Sequence, residues 1–202
     1  MLKQVSESKQ KPQNNALEYI DSTHTYLYNG VIIPSVTQIM KGSSEAYYRG
    51  ISEAQLIKAA HRGTQVHQAI YEFETEGKRT TDSEIIPYLT EYIIAKKRYN
   101  FKPLLQEFKL TNGLFAGTLD MLAEYNGQQV VIDLKATSKF NKSLSEIQLA
   151  GYVELCEYNG IGINNTYILH LNSDKHKLHQ VTPNYDEWER LKHEALCNMW
   201  SD

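Results

Sequence analysis

Apolar residues recur with a helical period in the first half of the chain. Across residues 52–76 they fall at positions i, i+3, i+4 and i+7, which predicts one long amphipathic helix. The apolar stripe of this helix consists of Val66, Ala69, Ile70 and Phe73. Gly77 is predicted to end it. A second helix is predicted from about Pro87, a suitable first-turn residue, to Asn100.

Short alternating segments beside turn residues predict strands. Asn29-Gly30 separates residues 24–28 from residues 31–33, which is typical of a β-hairpin. Ser35 is a suitable cap for a short helix that follows, and Gly42 is predicted to end that helix. Three further strands are predicted beyond the long helices, and the Asn-Gly pairs between them favour an antiparallel meander. These strands cover about 103–111, 114–124 and 128–136.

The last third of the chain contains two more helix signals. Ser143 and Glu146 form a predicted capping box for a helix that runs to about Tyr158. Asn184 and Glu187 form a similar signal before the last helix. Between these helices, strands are predicted over 167–171 and 177–181. The order of helix, three strands, helix and strand predicts an α+β (mixed α/β) fold, with a central mixed sheet flanked by helices.

Composition limits the architecture. The chain has 202 residues, of which 41% are hydrophobic, so one domain with a real core is expected rather than two. Residues 1–16 are rich in Gln, Lys, Asn and Ser and are predicted to be a disordered arm. Residues 17–202 are predicted to be a single domain with its core at about 52–171, to which the hairpin and the last helix are additions.

Charge and cysteine content exclude several functions. A formal net charge of −3 excludes a strongly basic nucleic-acid coat protein but leaves local basic patches open. Cys156 and Cys197 are the only cysteines, too few for a four-thiolate iron–sulfur cluster or a four-cysteine zinc site. We expect a reduced, cytoplasmic setting, because the sequence also shows neither a secretory h-region nor an apolar run long enough to span a bilayer.

Acidic residues on two adjacent predicted strands point to a metal site. Asp133 and Lys135 alternate with Leu134 and therefore share one face of their strand. Pairing centred on Asn126-Gly127 would place Asp120 opposite Asp133, where two unpaired carboxylates repel each other. A divalent cation would remove this cost, and Mg²⁺ prefers oxygen ligands. The alternative is an ordinary ion pair between Asp133 and Lys135 beside an exposed Asp120.

Four other polar residues have both a structural and a functional interpretation. His67 borders the apolar stripe of the long helix, and Glu107 lies on the first strand of the meander. Each is either a plain edge residue or a ligand. Gln148 and Tyr152 are four residues apart and share the helix face expected to pack on the sheet. An amide placed there is costly unless it has a specific partner, although a satisfied amide beside a half-buried tyrosine remains the structural alternative.

Together these positions resemble the PD-(D/E)XK nucleases, in particular the RecB-like and phage-type exonuclease branch. The similarity covers about residues 60–170 and lies in the order of the motifs and in the elements that carry them. In chain order, the motifs are Gly63-x-x-x-His67, Glu107, Gly117-Thr118-x-Asp120, Asp133-x-Lys135 and Gln148-x-x-x-Tyr152. The segment from Pro34 to Thr37 looks like the lead-in of phage members. The resemblance implies a restriction-endonuclease-like α-β-β-β-α-β core, which the element order also gives.

The resemblance implies a role for each site residue. Mg²⁺ or Mn²⁺ would be held by His67, Asp120, Asp133 and the backbone carbonyl of Leu134. Lys135 would orient or deprotonate the attacking water and balance charge on the phosphate. The remaining roles are an outer-sphere water or a second ion at Glu107, support and DNA positioning by Gln148, Tyr152, Gly117 and Thr118, and phosphate contacts at Lys139 and Lys142. No iron–sulfur cluster, nucleotide cofactor or covalent intermediate is expected.

The function implied is that of a metal-dependent DNA exonuclease acting on linear, duplex ends in phage or prophage recombination or end processing. The alternatives are a structure-specific or restriction-type endonuclease on the same core and a non-catalytic DNA-end-binding module. A recombinase or single-strand-annealing protein is a candidate partner, the chain is a candidate homo-oligomer, and no membrane association is expected. Residues 96–142 carry eight lysines and arginines against four acids, so a basic cleft would contact phosphates in a salt-dependent manner.

Overall fold

The structure is a computed structural model that describes residues 16–199. The predicted N-terminal arm, apart from Ala16, therefore lies outside the described residues. In chain order the elements are β1 (Leu17–Ile20), β2 (Thr25–Tyr28), β3 (Val31–Ile33), α1 (Val36–Ile39), α2 (Lys41–Tyr48), α3 (Glu53–Glu76), α4 (Ile86–Tyr99), β4 (Lys102–Thr111), β5 (Ala116–Tyr125), β6 (Gln128–Lys135), α5 (Lys142–Tyr158), β7 (Asn165–Leu171), β8 (His176–Gln180) and α6 (Tyr185–Met199). Within residues 16–199, no helix combines the length and the apolar character needed to cross a membrane.

A five-stranded mixed sheet forms the centre of the molecule, in the order β4-β5-β6-β7-β8. Strands β4 to β6 form the predicted antiparallel meander. Strand β7 runs parallel to β6, because α5 returns the chain to the other end of the sheet between them, and β8 adds an antiparallel edge. The α-β-β-β-α-β order is present. The restriction-endonuclease-like fold is confirmed.

Helices cover both faces of this sheet. Helices α3 and α4 pack on one face around Val66 and the central-strand residue Ile132. Helices α1, α5 and α6 pack on the other face, where Trp188 is fully buried in a cluster that also contains Val131. Successive residues of β6 thus enter opposite cores, which explains why this strand is a continuous apolar run rather than an alternating one.

The N-terminal residues form a separate three-stranded antiparallel sheet in the order β1-β2-β3. The hairpin of β2 and β3 is the predicted one, whereas β1 was not predicted. The amide of Ala116 donates to the carbonyl oxygen of Pro34 at 2.9 Å, and Ser35 forms an isolated parallel bridge with Ala116. Tyr26 adds a hydrogen bond between its hydroxyl and Thr118 Oγ1 at 2.5 Å. These contacts attach the small sheet to the start of β5.

Two predicted helix boundaries are wrong. Gly42 does not end the first short helix, because α1 ends at Ile39 and Gly42 lies inside α2. Asn141, and not Ser143, caps α5, since its side-chain oxygen accepts from the amide of Leu144 at 3.1 Å. Asparagine is as good a cap as serine, and α5 therefore begins two residues before the predicted start. The caps predicted at Ser35 and Asn184 and the end of α3 at Gly77 are confirmed.

Candidate active site

Three acids occupy equivalent positions on β4, β5 and β6. Paired positions on either side of Glu107 and Asp120 follow one register, so these two residues fall opposite each other. The pairing of β5 with β6 follows the predicted register and ends with Met121 opposite Ile132, which makes Asp120 and Asp133 the next positions along. Unpaired carboxylates on neighbouring strands are destabilising, so this row needs cationic partners.

The alternation of side chains is interrupted at Asp120. Leu119 packs in the core on the α5 face, whereas Met121 packs in the core on the α3 face. A regular strand would place both on one face. On the neighbouring strand Glu107 has φ of 45°, a left-handed conformation that non-glycine residues rarely adopt. Because of this local irregularity, the carboxylate of Asp120 faces His67 of α3, whereas that of Asp133 faces Lys135.

The side chain of Asp120 also forms a hydrogen bond at the point where the backbone pairing of β5 with β6 ends. Its Oδ2 accepts a hydrogen bond from the amide of Leu134 at 2.7 Å. The amide of this buried residue needs an acceptor, and the paired positions of β5 and β6 end two residues earlier, at Ile132. The side chain of Asp120 therefore joins β5 to β6 in place of a backbone bond.

His67 connects α3 to the same carboxylate. Its Nδ1 lies 3.4 Å from Oδ1 of Asp120 and 3.5 Å from Oε1 of Glu107. Its Nε2 lies 3.2 Å from the carbonyl oxygen of Leu134. One ligand atom from each of His67, Glu107 and Asp120 can be chosen such that all lie within 4.8 Å of one another. A nitrogen and several oxygens thus converge between α3 and the sheet.

Lys135 lies on the opposite side of β6, between Asp133 and α5. Its Nζ is 2.7 Å from Oδ2 of Asp133 and donates to Oε1 of Gln148 at 2.8 Å. Nε2 of Gln148 in turn donates to the hydroxyl of Tyr152 at 3.2 Å. The predicted common face of Asp133 and Lys135 is confirmed, and the amide of Gln148 has the specific partner that its position requires.

Charge interactions fix the protonation states of the strand residues. Burial raises the pKa of Asp133 to about 6; Lys135 opposes this shift and Asp120 adds to it. Burial also disfavours the charged form of Asp120, but His67, Lys135 and the amide of Leu134 together lower the pKa of this carboxyl. For Lys135 burial acts against the ammonium, yet the charges of Asp133 and Asp120 prevail and raise its pKa. Lys135 is therefore a cation at neutral pH.

The imidazole of His67 is held in its protonated form in the same way. Burial works against the charge, but Asp120 and Glu107, through their charges and hydrogen bonds, raise the pKa of His67 well above its usual value. A proton on His67 therefore balances one carboxylate when the site holds no cation. A metal ion would take over this balance, and the proton would leave.

The available donors fit a hard divalent cation. Carboxylate oxygens, one carbonyl oxygen and one imidazole are a suitable ligand set for such an ion. Oδ2 of Asp133 is buried and, among the described residues, makes no hydrogen bond of good geometry, although the ammonium of Lys135 is close to it. Of the predicted ligands, His67, Asp120 and the carbonyl of Leu134 are brought together with Glu107, while Asp133 contacts Lys135. A role for Asp133 as a ligand stays a prediction.

Gly117 and Thr118 support the site from the start of β5. A Cβ at Gly117 would lie 3.0 Å from Cε1 of Tyr152 and 3.1 Å from Cδ1 of Leu155, so only glycine lets α5 approach this closely. Oγ1 of Thr118 shares a hydrogen bond with the hydroxyl of Tyr26, which belongs to the N-terminal sheet. Gly63 is different, because a Cβ there would meet nothing within 4 Å.

Two clefts meet beside these residues. The larger, of about 570 Å³, lies between the N-terminal sheet and α3 and includes His67, Glu107 and Thr118 in its lining. The smaller, of about 180 Å³, lies between α2 and the start of α5 and includes Lys135 and Lys139. Thr37 lines both clefts. His67 and Glu107 are thus accessible from the larger cleft, and Lys135 is accessible from the smaller one.

Three residues near the site carried no signal in the sequence. Tyr26 contacts Thr118, and Tyr48 of α2 lines the smaller cleft together with Lys135. Arg62 donates from Nε and Nη2 to the carbonyl oxygen of Ala136 at 3.4 and 3.2 Å, which ties α3 to the end of β6. Of the candidate phosphate contacts, Lys139 lines the smaller cleft, while Lys142 is exposed and lies 3.6 Å from Glu146.

Comparison with known proteins gives similarity in structure alone. No family model matches the sequence, and no curated protein matches it. Among solved structures, the chain is similar to a putative exonuclease from Eubacterium rectale, with 16% identity over 98% of this chain and 85% of the other and a TM-score of 0.45. It is also similar to a phage-related exonuclease from Haemophilus somnus 129PT (10% identity, 82% and 90% covered, TM-score 0.37) and to an alkaline exonuclease from Laribacter hongkongensis (8% identity, 83% and 87% covered, TM-score 0.38). Because each of these TM-scores is below 0.5, the proposed function rests on the chain's own residues.

Proposed function

We propose that the chain is a metal-dependent nuclease that hydrolyses phosphodiester bonds in DNA, and that it acts as an exonuclease. The observation that carries this proposal is the convergence of His67, Glu107 and Asp120, with the carbonyl of Leu134 at the other ring nitrogen of His67, near a half-buried cation, Lys135. A ligand group of oxygens beside a fixed ammonium suits an anionic substrate whose hydrolysis builds up negative charge. The motif order that resembles PD-(D/E)XK nucleases adds to it.

The proposed ligands of Mg²⁺ or Mn²⁺ are His67, Asp120, Asp133 and the carbonyl of Leu134, with Glu107 as an outer ligand or a holder of a second ion. When bound, the cation supplies Lewis-acid polarisation of the phosphate and a water of lowered pKa. His67 would have to lose its proton to serve as a ligand, and the charges of Asp120 and Glu107 would then be balanced by the cation rather than by the imidazolium. No nucleophilic side chain is needed.

Lys135 carries the other half of the proposed chemistry. Its raised pKa favours the ammonium, so it orients the attacking water and stabilises charge on the phosphate rather than accepting a proton. Gln148 holds the ammonium by a hydrogen bond and is itself held by Tyr152. We assign Gln148 and Tyr152 as positioning residues for Lys135.

The exonuclease mode is proposed from the resemblance to the phage-type branch, and it includes a role in phage or prophage recombination or end processing. A structure-specific or restriction-type endonuclease is the second candidate, because the same core residues serve both modes. A non-catalytic DNA-end-binding module is less favoured, since Asp133 is retained in a buried position and Asp120 and Lys135 in half-buried ones, which is costly.

One assay tests these candidates together. Purified protein is incubated with end-labelled linear duplex DNA and with covalently closed circular DNA, in Mg²⁺ or Mn²⁺ and again in EDTA. We expect metal-dependent loss of the linear DNA, intact circles, and no digestion by Asp120→Ala or Lys135→Ala. Nicked circles would favour the endonuclease. Digestion that both variants retain would contradict the assigned site, and binding without digestion would favour the non-catalytic module.

A further inference from the structure

Helix α2 and the residues after it expose several apolar side chains to solvent. No residue of α2 is buried. Tyr47, Tyr48, Ile51 and Ile57 are each between 40% and 61% exposed. We refer to these four residues as the α2 platform. The rings of Tyr47 and Tyr48 contact each other, so these two exposed side chains form a patch of the kind that often marks an interaction site.

One residue of the α2 platform, Tyr48, lies beside the proposed catalytic lysine. Tyr48 lines the smaller cleft together with Lys135 and Gln148. The first half of α3, which contains Ile57, is tied to the end of β6 by the hydrogen bonds from Arg62 to Ala136. A ligand that extends from Lys135 through the smaller cleft therefore meets Tyr48 as it leaves the site.

Charge favours a polyanion as this ligand. Residues 41–62 contain four cationic residues, Lys41, Arg49, Lys58 and Arg62, against two acids, Glu45 and Glu53. Lys139 adds a further exposed cation at the smaller cleft. A second copy of this chain would bring its own cationic residues to the interface, so charge does not favour self-association through this surface.

Aromatic rings among cations are the usual means of binding single-stranded nucleic acid without sequence preference. The ring centroids of Tyr47 and Tyr48 are 4.9 Å apart at an interplanar angle of 77°, so the two rings contact edge to face. Both rings keep a large accessible area, which leaves them able to contact bases.

We propose that the α2 platform binds the unpaired nucleobases of a DNA strand whose backbone lies at Lys135, with Tyr47 and Tyr48 stacking on those bases. This inference rests on the proposed nuclease function and names the form of DNA that the site holds, a single-stranded segment. Ile51 and Ile57 extend the apolar contact beyond the two rings.

The test is the affinity of the full chain for fluorescein-labelled oligo(dT), measured by anisotropy in EDTA so that no cleavage occurs. Tyr47→Ala and Tyr48→Ala should each weaken binding about fivefold to one-hundredfold, the range expected for the loss of one base–aromatic stack. Tyr47→Phe and Tyr48→Phe should stay close to the unmodified chain, because the ring is retained. Tyr158→Ala is the matched control, since Tyr158 is 68% exposed at the far end of α5 and should have no effect.

Each result decides the inference. If the unmodified chain binds the oligonucleotide and both alanine variants bind equally well, the platform is not a DNA-binding surface although the proposed function stands. If the unmodified chain does not bind the oligonucleotide, the inference fails, whereas the digestion of linear duplex DNA in Mg²⁺ or Mn²⁺ decides the proposed function separately. Light scattering that shows self-association lost in the alanine variants, with DNA affinity unchanged, would assign the surface to a second copy instead.

A crosslinking measurement on the unmodified chain avoids any effect of substitution on folding. Oligo(dT) carrying 5-iododeoxyuridine is bound in EDTA and irradiated, and the crosslinked peptide is identified by mass spectrometry. We expect the crosslink at Tyr47 or Tyr48. Crosslinks confined to other parts of the chain would overturn the proposal.

Discussion

Oδ1 of Asp120 lies 3.4 Å from Nδ1 of His67, so a carboxylate on the second strand of the sheet meets an imidazole on the long helix. The other oxygen of Asp120 accepts from the amide of Leu134. One side chain therefore links β5, β6 and α3, and it serves both the fold and the proposed metal site.

The two roles of Asp120 can be separated by substitution. Asp120→Asn keeps an oxygen that accepts from the amide of Leu134, whereas Asp120→Ala does not. In EDTA, the alanine variant should have a free energy of unfolding about 1–3 kcal/mol lower than the asparagine variant, the cost of a buried amide without a partner. Urea denaturation measures this difference. Both variants should lose nuclease activity, and equal stability of the two would contradict the structural role.

Lys135 and Gln148 should differ in how strongly they affect the reaction. Lys135→Met should lower the rate of DNA hydrolysis at least about one-hundredfold, because no fixed cation remains to stabilise the phosphate. Gln148→Ala should lower it about tenfold to one-hundredfold, since the lysine is still present but less well held. Isothermal titration calorimetry with Mn²⁺ provides the control, because both variants should still bind the ion. Loss of Mn²⁺ binding in Gln148→Ala would contradict its role as a residue that positions Lys135.

Much of the fold and the site could be predicted because the signals are local. The Asn-Gly turn between β5 and β6 sets the register of both strands, which is why Asp120 and Asp133 could be placed next to each other from the sequence. The four-residue spacing of Gln148 and Tyr152 likewise places both side chains on one face of α5. Patterns of this kind depend only on residues that are close together in the sequence, so they can be interpreted without knowing the fold.

The parts of the site that could not be predicted depend on contacts between residues far apart in the chain. The irregularity at Glu107 and Asp120 turns one carboxylate to α3 and leaves Asp133 with Lys135, and no local pattern indicates it. Arg62 reaches Ala136 across 74 residues of chain. Glu107 therefore lies with His67 and Asp120, while Asp133, also a proposed ligand, contacts Lys135, because the regular alternation of side chains is interrupted at Asp120.

The protonation of His67 gives a pH dependence with a defined sign. Its raised pKa means that the metal-free fold binds this proton more tightly than the unfolded chain does. The stabilisation is fully present below the unfolded-state pKa, near 6.5, and is lost as pH rises through the raised value. In EDTA, the stability advantage of the unmodified chain over His67→Gln should thus shrink as pH rises above about 6.5. Urea denaturation at several pH values measures it, and a constant difference would contradict the paired imidazolium.

The affinity for a metal ion should change with pH in the opposite direction, increasing as the pH rises. A proton on His67 competes with the cation for the same nitrogen, so affinity for Mn²⁺ should increase as pH rises through the raised pKa of His67. Calorimetric titration at several pH values, in buffers of different ionisation enthalpy, should also show release of a proton on binding. His67→Gln should bind more weakly and release fewer protons. Proton release that is the same in both proteins would exclude His67 as the group that titrates.

Substitution of alanine for Gly117 and for Gly63, the two glycines of the motifs described above, should change the free energy of unfolding in opposite directions. Gly117→Ala would place a Cβ 3.0 Å from Tyr152 and 3.1 Å from Leu155, so β5 and α5 must move apart. We expect a loss of about 1–3 kcal/mol in the free energy of unfolding, as for other overpacked cores. Gly63→Ala is the matched control, because a Cβ at this position in α3 meets nothing within 4 Å and alanine is the better helix former. It should raise the free energy of unfolding by about 0.4–1 kcal/mol. Urea denaturation of both variants in EDTA distinguishes the two, and a stable Gly117→Ala variant would show that α5 does not lie as close to β5 as the structure places it.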